Sequence, residues 1–444
     1  MKKKFEPLTY IDYIIFMIIG VFCFFVFEHG DILHTGGSSF AYLNGHILDF
    51  YDYNVAYMEG NAYLPSSYIL FAIWNIPIRL LGLMTVPSFV APYGVLMWYK
   101  LLPTLVYLGT GFLVYKIAME FEFGSLKSKI SAFVFLTTPI GFYSQFIFGQ
   151  YDIFTVFLVL LGIYMLLKGK RWQFCLMFGL AITFKYFALL IFVPVLLLVE
   201  KDIWKIIKSG IIAVIPFAAE VLIYKGSPAF KSGVFGFNAV GYIGDAVIEI
   251  GNYTINIVVL LWALVCAWAY YTDLKERKDI IKWGVFFCNL VVFVVFGFAK
   301  WHPQWLLFAV PFWVFASMMN KRFNVRMIID IGLMFVFTYI IAYEYMENAD
   351  HYLLIYGAFG KTALANLNNM LTFAHIFPST FAPAMHTIFV GILAIMTFFS
   401  HPKYCTDKLD EDVSKDIWWI RIRFVLGVAI FVVPALYCLI YALK

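Results

Sequence analysis

The sequence predicts an all-α, polytopic membrane protein of about 13 transmembrane helices, with one long loop, residues 28–93, after the first of them. Three observations predict it. The 444 residues are 63% hydrophobic and only 13% charged, where a soluble domain carries about 25% charged residues, and the mean hydropathy is +0.85. Apolar runs of bilayer-spanning length recur along the chain. Lys and Arg gather in alternate loops.

The first apolar run, about 10–27, follows Met1-Lys2-Lys3-Lys4. No small-residue cleavage site comes after it, so it reads as a retained membrane helix. Further spans are expected near 94–118, 130–147, 152–167, 209–224, 253–272, 283–299, 304–319, 327–345, 381–399 and 418–443. The stretch 172–199 is too long for one crossing and is interrupted by Lys185, which predicts two short helices meeting there. With the N-terminus cytoplasmic, 24 of the 32 Lys and Arg fall in cytoplasmic loops. The other eight are Arg79, Lys100, Lys185, Lys225, Lys231, Lys300, Lys361 and Lys444. They stand on the side that positive charge avoids and need another reason to exist.

The segment 66–83, SSYILFAIWNIPIRLLGL, is apolar, but a crossing there would invert the charge pattern of the loops that follow. Asn75, Pro77 and Arg79 interrupt it, and we read it as an amphipathic helix lying flat in the outer interface. The other outer loops are 225–252, 299–303 and 346–380. Six Cys show neither metal spacing nor an evident disulfide partner. The net charge of +5 follows from the loop lysines and suggests no nucleic-acid partner.

Four polar features are expected on the outer side at similar depth. They are Glu28–Asp31 with His29 and His34, FGQYD at 148–152, Lys185 within GLAITFKYFALLIFVP, and FAKWHPQW at 298–305 with Lys300, His302 and Gln304. A carboxylate can take the proton of an attacking hydroxyl. Lysine and histidine can steady the charge on a departing phosphate. Each also has a plainer reading. Asp31 would be an interfacial acid, Lys185 a snorkelling lysine, and Lys300 with His302 the cap of a short hairpin. Asp152 and Gln150 would start and cap the fourth helix, and for Gln150 that reading is preferred. Glu220 either faces the same cavity or pairs with Lys225.

In order along roughly residues 20–315, these features resemble the GT-C superfamily of integral-membrane glycosyltransferases. Asp31, FAYLNGHILDFYDYN, NAYLPSSYILFAIWNIP, GQYD at 149–152, Lys185 and KWHPQW at 300–305 are similar to its bacterial mannosyltransferase-like branch. The resemblance implies a catalytic module over 1–320, including loop 28–93, with additional membrane helices over 321–444. It implies a sugar donor on a polyprenyl phosphate, a glycan or lipid acceptor, and transfer with inversion on the outer face of the cell membrane. Asp31 would be the general base, and Lys185, Lys300 and His302 would hold the donor phosphate. His34, Tyr42, Asp152 and Gln304 would contact substrate, with Asp49 and Asp52 as further sugar contacts. The superfamily often carries an Asp-x-Asp or Glu-x-Asp pair. Here the nearest acid before Asp31 is Glu28, so no cofactor is expected and a divalent metal is not favoured.

Two other functions compete. A transporter or lipid flippase would show repeats and midplane charges, whereas the ionisable groups here lie at the outer boundary. A polysaccharide polymerase usually carries a late, basic outer loop, whereas the major loop here is early and acidic. A structural scaffold would not need Lys185.

Overall fold

The computed structural model describes residues 8–58, 61–236, 239–344, 378–411 and 413–442. Lys2–Lys4, residues 346–377 of the expected loop 346–380 with Lys361, and Lys444 lie outside these residues. Every stretch expected to cross the membrane contains a helix. α1 (Tyr10–Val26) starts where Thr9 donates its backbone N–H and hydroxyl to Asp12 Oδ2. The chain then turns by 75° into α2 (Asp31–Ser38) and α3 (Phe40–Leu43).

α4 (Phe50–Asn54) and α5 (Pro65–Leu80) complete the long loop. α5 is the segment expected to be amphipathic. Ile69, Ile73, Ile76 and Leu80 are exposed at helical spacing, while Tyr68, Phe71, Ala72, Asn75 and Ile78 are buried on the other side. Asn75 ties that buried side to α2 through Gly36 O (3.2 Å) and Ser39 Oγ (3.0 Å).

α6 (Tyr93–Glu120) packs on α7 (Gly124–Thr137). The expected span 130–147 is bent by 55° within its length. Pro139 keeps Thr138 out of helical geometry. α8 (Pro139–Phe142) and a π-helical turn, Tyr143–Phe148, follow. Next come α9 (Ile153–Leu167), α10 (Arg171–Phe184), α11 (Phe187–Val199) and α12 (Ile203–Tyr224). The stretch 172–199 thus divides at Lys185, whose backbone is extended.

The region 225–252, expected as loop, is more structured. It holds α13 (Pro228–Phe230), α14 (Ala239–Gly244) and an antiparallel hairpin, β1 (Val247–Ile250) with β2 (Tyr253–Asn256). The helix expected from 253 begins only at α15 (Ile257–Tyr271), because Asn256 caps it by accepting from Val259 N. α16 (Arg277–Phe298), a 3-10 turn Pro303–Phe308, α17 (Val310–Met319), α18 (Phe323–Glu344), α19 (Ala382–Phe398) and α20 (Ile417–Ala442) finish the fold. Six helices are long and apolar enough to cross a membrane, or eight if each bent pair is one span. Four more apolar helices are 10–17 residues long.

The C-terminal helices belong to the same bundle. Arg421 of α20 grips Asp12 of α1 at 2.7 Å, and Arg423 reaches Val134 O and Thr137 on α7. Cations expected in cytoplasmic loops meet at one end. Glu120 holds both Lys168 (2.6 Å) and Arg277 (3.1 Å), and Arg171 pairs with Glu200. Lys100, near the other end of α6, marks where the remaining polar groups gather.

Candidate functional site

Five pieces of chain converge at that end: the start of α2, residues 61–64, the turn 149–152, the α10–α11 break and the turn after α16. Asp31 stands in the first turn of α2. Its backbone N–H donates to His29 Nδ1 (3.2 Å), and its Oδ1 lies 3.7 Å from that same nitrogen. The His29 ring is stacked on Phe148 at 3.9 Å. The carboxylate is 37% exposed, so one side is open to an incoming hydroxyl.

Its other oxygen is fixed by a chain of amides. Gln304 Nε2 donates to Gln150 Oε1 (3.2 Å), and Gln150 Nε2 donates to Asp31 Oδ2 (3.1 Å) and Tyr63 Oη (3.3 Å). The first bond sets which end of Gln150 faces the carboxylate. The helix-capping role expected for Gln150 is therefore corrected. Asp152 makes no capping hydrogen bond either. Both side chains are drawn inward by partners contributed from other helices.

Lys185 is half-buried beside this chain. Its Nζ pairs with Asp152 Oδ1 at 3.0 Å and lies 4.9, 5.1 and 5.4 Å from the ring centres of Tyr63, Tyr151 and Trp305. Aromatic faces are favourable neighbours for a desolvated cation. The break between α10 and α11 aims it there, since a continuous helix would not present this extended residue. Lys185 also lines an apolar cavity of about 330 Å³ with Tyr63, Leu64, Phe187, Val234, Ile243 and Trp305. Two buried oxygens at the site, Asp152 Oδ2 and Gln304 Oε1, have no hydrogen-bond partner among the described residues.

His302 lies within electrostatic reach of Asp31, Lys185, His29 and Lys300. Burial pushes its imidazole down to about 4, so it is neutral at neutral pH and meets an anion as an N–H donor. Lys300 is exposed, 5.4 Å from the Tyr242 ring centre.

The structure brings Asp31, Asp152, Lys185, His302 and Gln304 together, sets His34 at their edge against Tyr63, and places other expected contacts elsewhere. His34 packs among Tyr63, Tyr68 and Phe89. Tyr42 stacks on Phe50 and shares a 2.9 Å hydrogen bond with Tyr224. Asp49 holds His46 at the surface, and Asp52 accepts from Ser227 Oγ (2.8 Å) and Ala229 N (3.3 Å), tying α4 to α13. Glu220 does not pair with Lys225. It accepts from Ser66 N–H (2.9 Å) and the Ser66 hydroxyl, fixing the start of α5.

Beneath Asp31 lie two residues the sequence did not single out as site residues. Lys100 is fully buried and donates to the carbonyls of Phe24 (2.9 Å), Phe27 (2.5 Å) and Phe146 (2.8 Å). It clamps the end of α1 to the π-helical turn, the two segments that lead into Asp31 and Gln150. Gly149 accompanies it with φ +76°, and a Cβ there would lie 2.7 Å from Lys100 Cε. Glu28, in the link between α1 and α2, is also fully buried. Burial pushes its carboxyl up to about 8. Among the described residues no group of three or more His, Cys, Asp or Glu is placed to hold a metal ion.

Residues 63–270 match the family model of glycosyltransferase family 87. The structure is similar to a crystal structure of ArnT from Cupriavidus metallidurans bound to undecaprenyl phosphate. That match has 13% sequence identity and a TM-score of 0.50, covering 96% of this chain and 76% of that one. The apo state of the same protein matches at 12% identity with a TM-score of 0.48, over the same 96% and 76%. No curated protein sequence matches the chain. The fold and the family match bear out the resemblance to GT-C integral-membrane glycosyltransferases.

Proposed function

We propose that this chain, a multi-pass membrane glycosyltransferase of GT-C type, moves a sugar from a polyprenyl-phosphate donor to a hydroxyl of a cell-surface glycan or lipid on the outer face of the membrane. The observation that carries the reading is the pairing of two things: a carboxylate oriented by an amide chain, and a half-buried lysine at the wall of an apolar cavity. The cavity suits the phosphate-proximal part of an isoprenoid chain, and Lys185 stands where its phosphate would arrive. That ArnT was crystallised with undecaprenyl phosphate favours the same donor class here.

In this reading Asp31 takes the proton of the acceptor hydroxyl as its oxygen attacks the anomeric carbon. The bond from that carbon to the phosphate oxygen breaks, and its electron pair leaves with the polyprenyl phosphate. Lys185 and Lys300 supply positive charge to the departing group, and neutral His302 supplies an N–H. Asp152 holds Lys185 in place while the donor is absent. Attack opposite the leaving group inverts the anomeric centre. Loss of polyprenyl phosphate, a weak base, needs no partner acid.

The test offers the purified protein in liposomes a panel of polyprenyl-phosphate sugars. One donor should be consumed with release of polyprenyl phosphate. Asp31→Asn should slow that turnover about 10²–10⁴-fold with folding intact. Wild-type turnover by Asp31→Asn would remove Asp31 from the base role. Consumption of none of the donors, with lipid-linked sugar crossing the bilayer unchanged, would favour a flippase.

A further inference from the structure

The hairpin β1–β2 has one wholly apolar side. Its register sets Ile248 opposite Ile255 and Ile250 opposite Tyr253, while Val247, Glu249, Thr254 and Asn256 share the other side. All four residues of the apolar side are exposed, Tyr253 by 78% and Ile250 by 58%. An isolated two-stranded hairpin is marginal in water. A contiguous exposed apolar patch marks a surface that something covers.

The position of the hairpin says what covers it. It follows α14 in the chain, and β2 runs into α15 without a linker and packs on it. On α15, Val259, Leu260 and Leu264 are exposed. In a membrane protein this flank faces lipid, so the apolar side of the hairpin continues a lipid-facing surface. A Tyr beside isoleucines at a turn suits the boundary between headgroups and acyl chains.

The hairpin is also fastened to the cavity wall. Asn256 Nδ2 donates to Ile243 O (2.6 Å) and Gly244 O (3.0 Å), and Ile243 lines the cavity that holds Lys185.

We propose that β1–β2 is a membrane-seated rim: Ile248, Ile250, Tyr253 and Ile255 rest on the lipid interface and hold the neighbouring cavity wall at the depth of the bilayer. This assignment concerns lipid contact and does not depend on the reaction catalysed. Spin labels at Ile250→Cys, Tyr253→Cys and Glu249→Cys, in the full chain reconstituted into phosphatidylcholine–phosphatidylglycerol vesicles, test it. Oxygen, which concentrates in lipid, should relax the labels at 250 and 253 several-fold more strongly relative to a water-soluble nickel chelate than the label at 249. Equal access to nickel at all three positions would overturn the proposal. So would dipolar broadening at 250 and 253, which would mean that a second copy covers the face. Because each variant is a single change on an exposed side chain, the unlabelled proteins should keep the wild-type thermal midpoint. If one label disturbs the hairpin, the other apolar position still reads its surroundings.

Discussion

Arg423, fully buried, and Lys185, half-buried, both face an aspartate, and their surroundings differ. Arg423 donates to Asp330 Oδ2 (3.1 Å), Thr138 Oγ1 (3.3 Å), Val134 O (2.9 Å) and Thr137 Oγ1 (2.8 Å), drawing together three helices. Lys185 has Asp152, three aromatic faces and a cavity at its side. A cation whose two terminal nitrogens are both taken up by the protein, as those of Arg423 are, is structural. A cation that borders a void, next to carboxylate and amide oxygens left without partners, is prepared for something that comes and goes.

That contrast is sharpest under substitution. Arg423→Met should have the largest effect on the fold. Removing one member of a buried pair costs about 3–5 kcal/mol, so the variant should be recovered in low yield with a markedly lowered thermal midpoint. Any folded fraction should turn over normally. Normal stability would break the comparison.

Lys185→Gln should do the reverse. The thermal midpoint should fall less than in Arg423→Met, since a Gln amide can still donate to Asp152, while donor KM rises about tenfold to a hundredfold, the range of one or two charge-assisted hydrogen bonds at about 1.5–3 kcal/mol. A change in stability without a change in donor KM would make Lys185 another structural cation.

Below about pH 5 the smallest change is expected from Glu28→Gln, because a protonated carboxyl and an amide are nearly the same shape. Burial raises the Glu28 carboxyl from 4.5 to about 8. The folded state therefore keeps a proton that the unfolded chain releases above pH 4.5. The stability this contributes is fully present below pH 4.5 and is lost as pH rises to about 8. The thermal midpoint of Glu28→Gln relative to wild type should accordingly climb between pH 5 and pH 8. A constant difference across that window would show that Glu28 is ionised throughout.

Much of the fold was legible because membrane helices announce themselves through composition. Apolar runs located a helix in every stretch expected to cross, of which six to eight are long and apolar enough to span a membrane. The break at Lys185 was legible because a charge interrupts an apolar run. The hairpin was missed although Val247–Asn256 alternates in period two around Gly251-Asn252, because the apolar run that follows masked it.

At the site, Asp31, Lys185 and Gln304 were legible from residue type and setting. The partners of these residues were not. The ion pair of Lys185 with Asp152 spans 33 positions, and the bond from Gln150 to Asp31 spans 119. Nothing local distinguishes a glutamine that caps a helix from one that orients a carboxylate. Lys100 stood out as an outer-side cation, but its role was hidden for a related reason. It binds backbone carbonyls, which every residue has, so no partner side chain marked it in advance.

The cavity beside Lys185 has a consequence for selectivity. At about 330 Å³ it is at the small end of ligand pockets, room for only the first isoprene units of a long donor. The rest of the hydrocarbon must stay dissolved in the surrounding bilayer. Tail length would then govern how much donor the membrane holds and leave the fit at the headgroup unchanged. Donors with short and long tails should be used alike once compared at equal surface density.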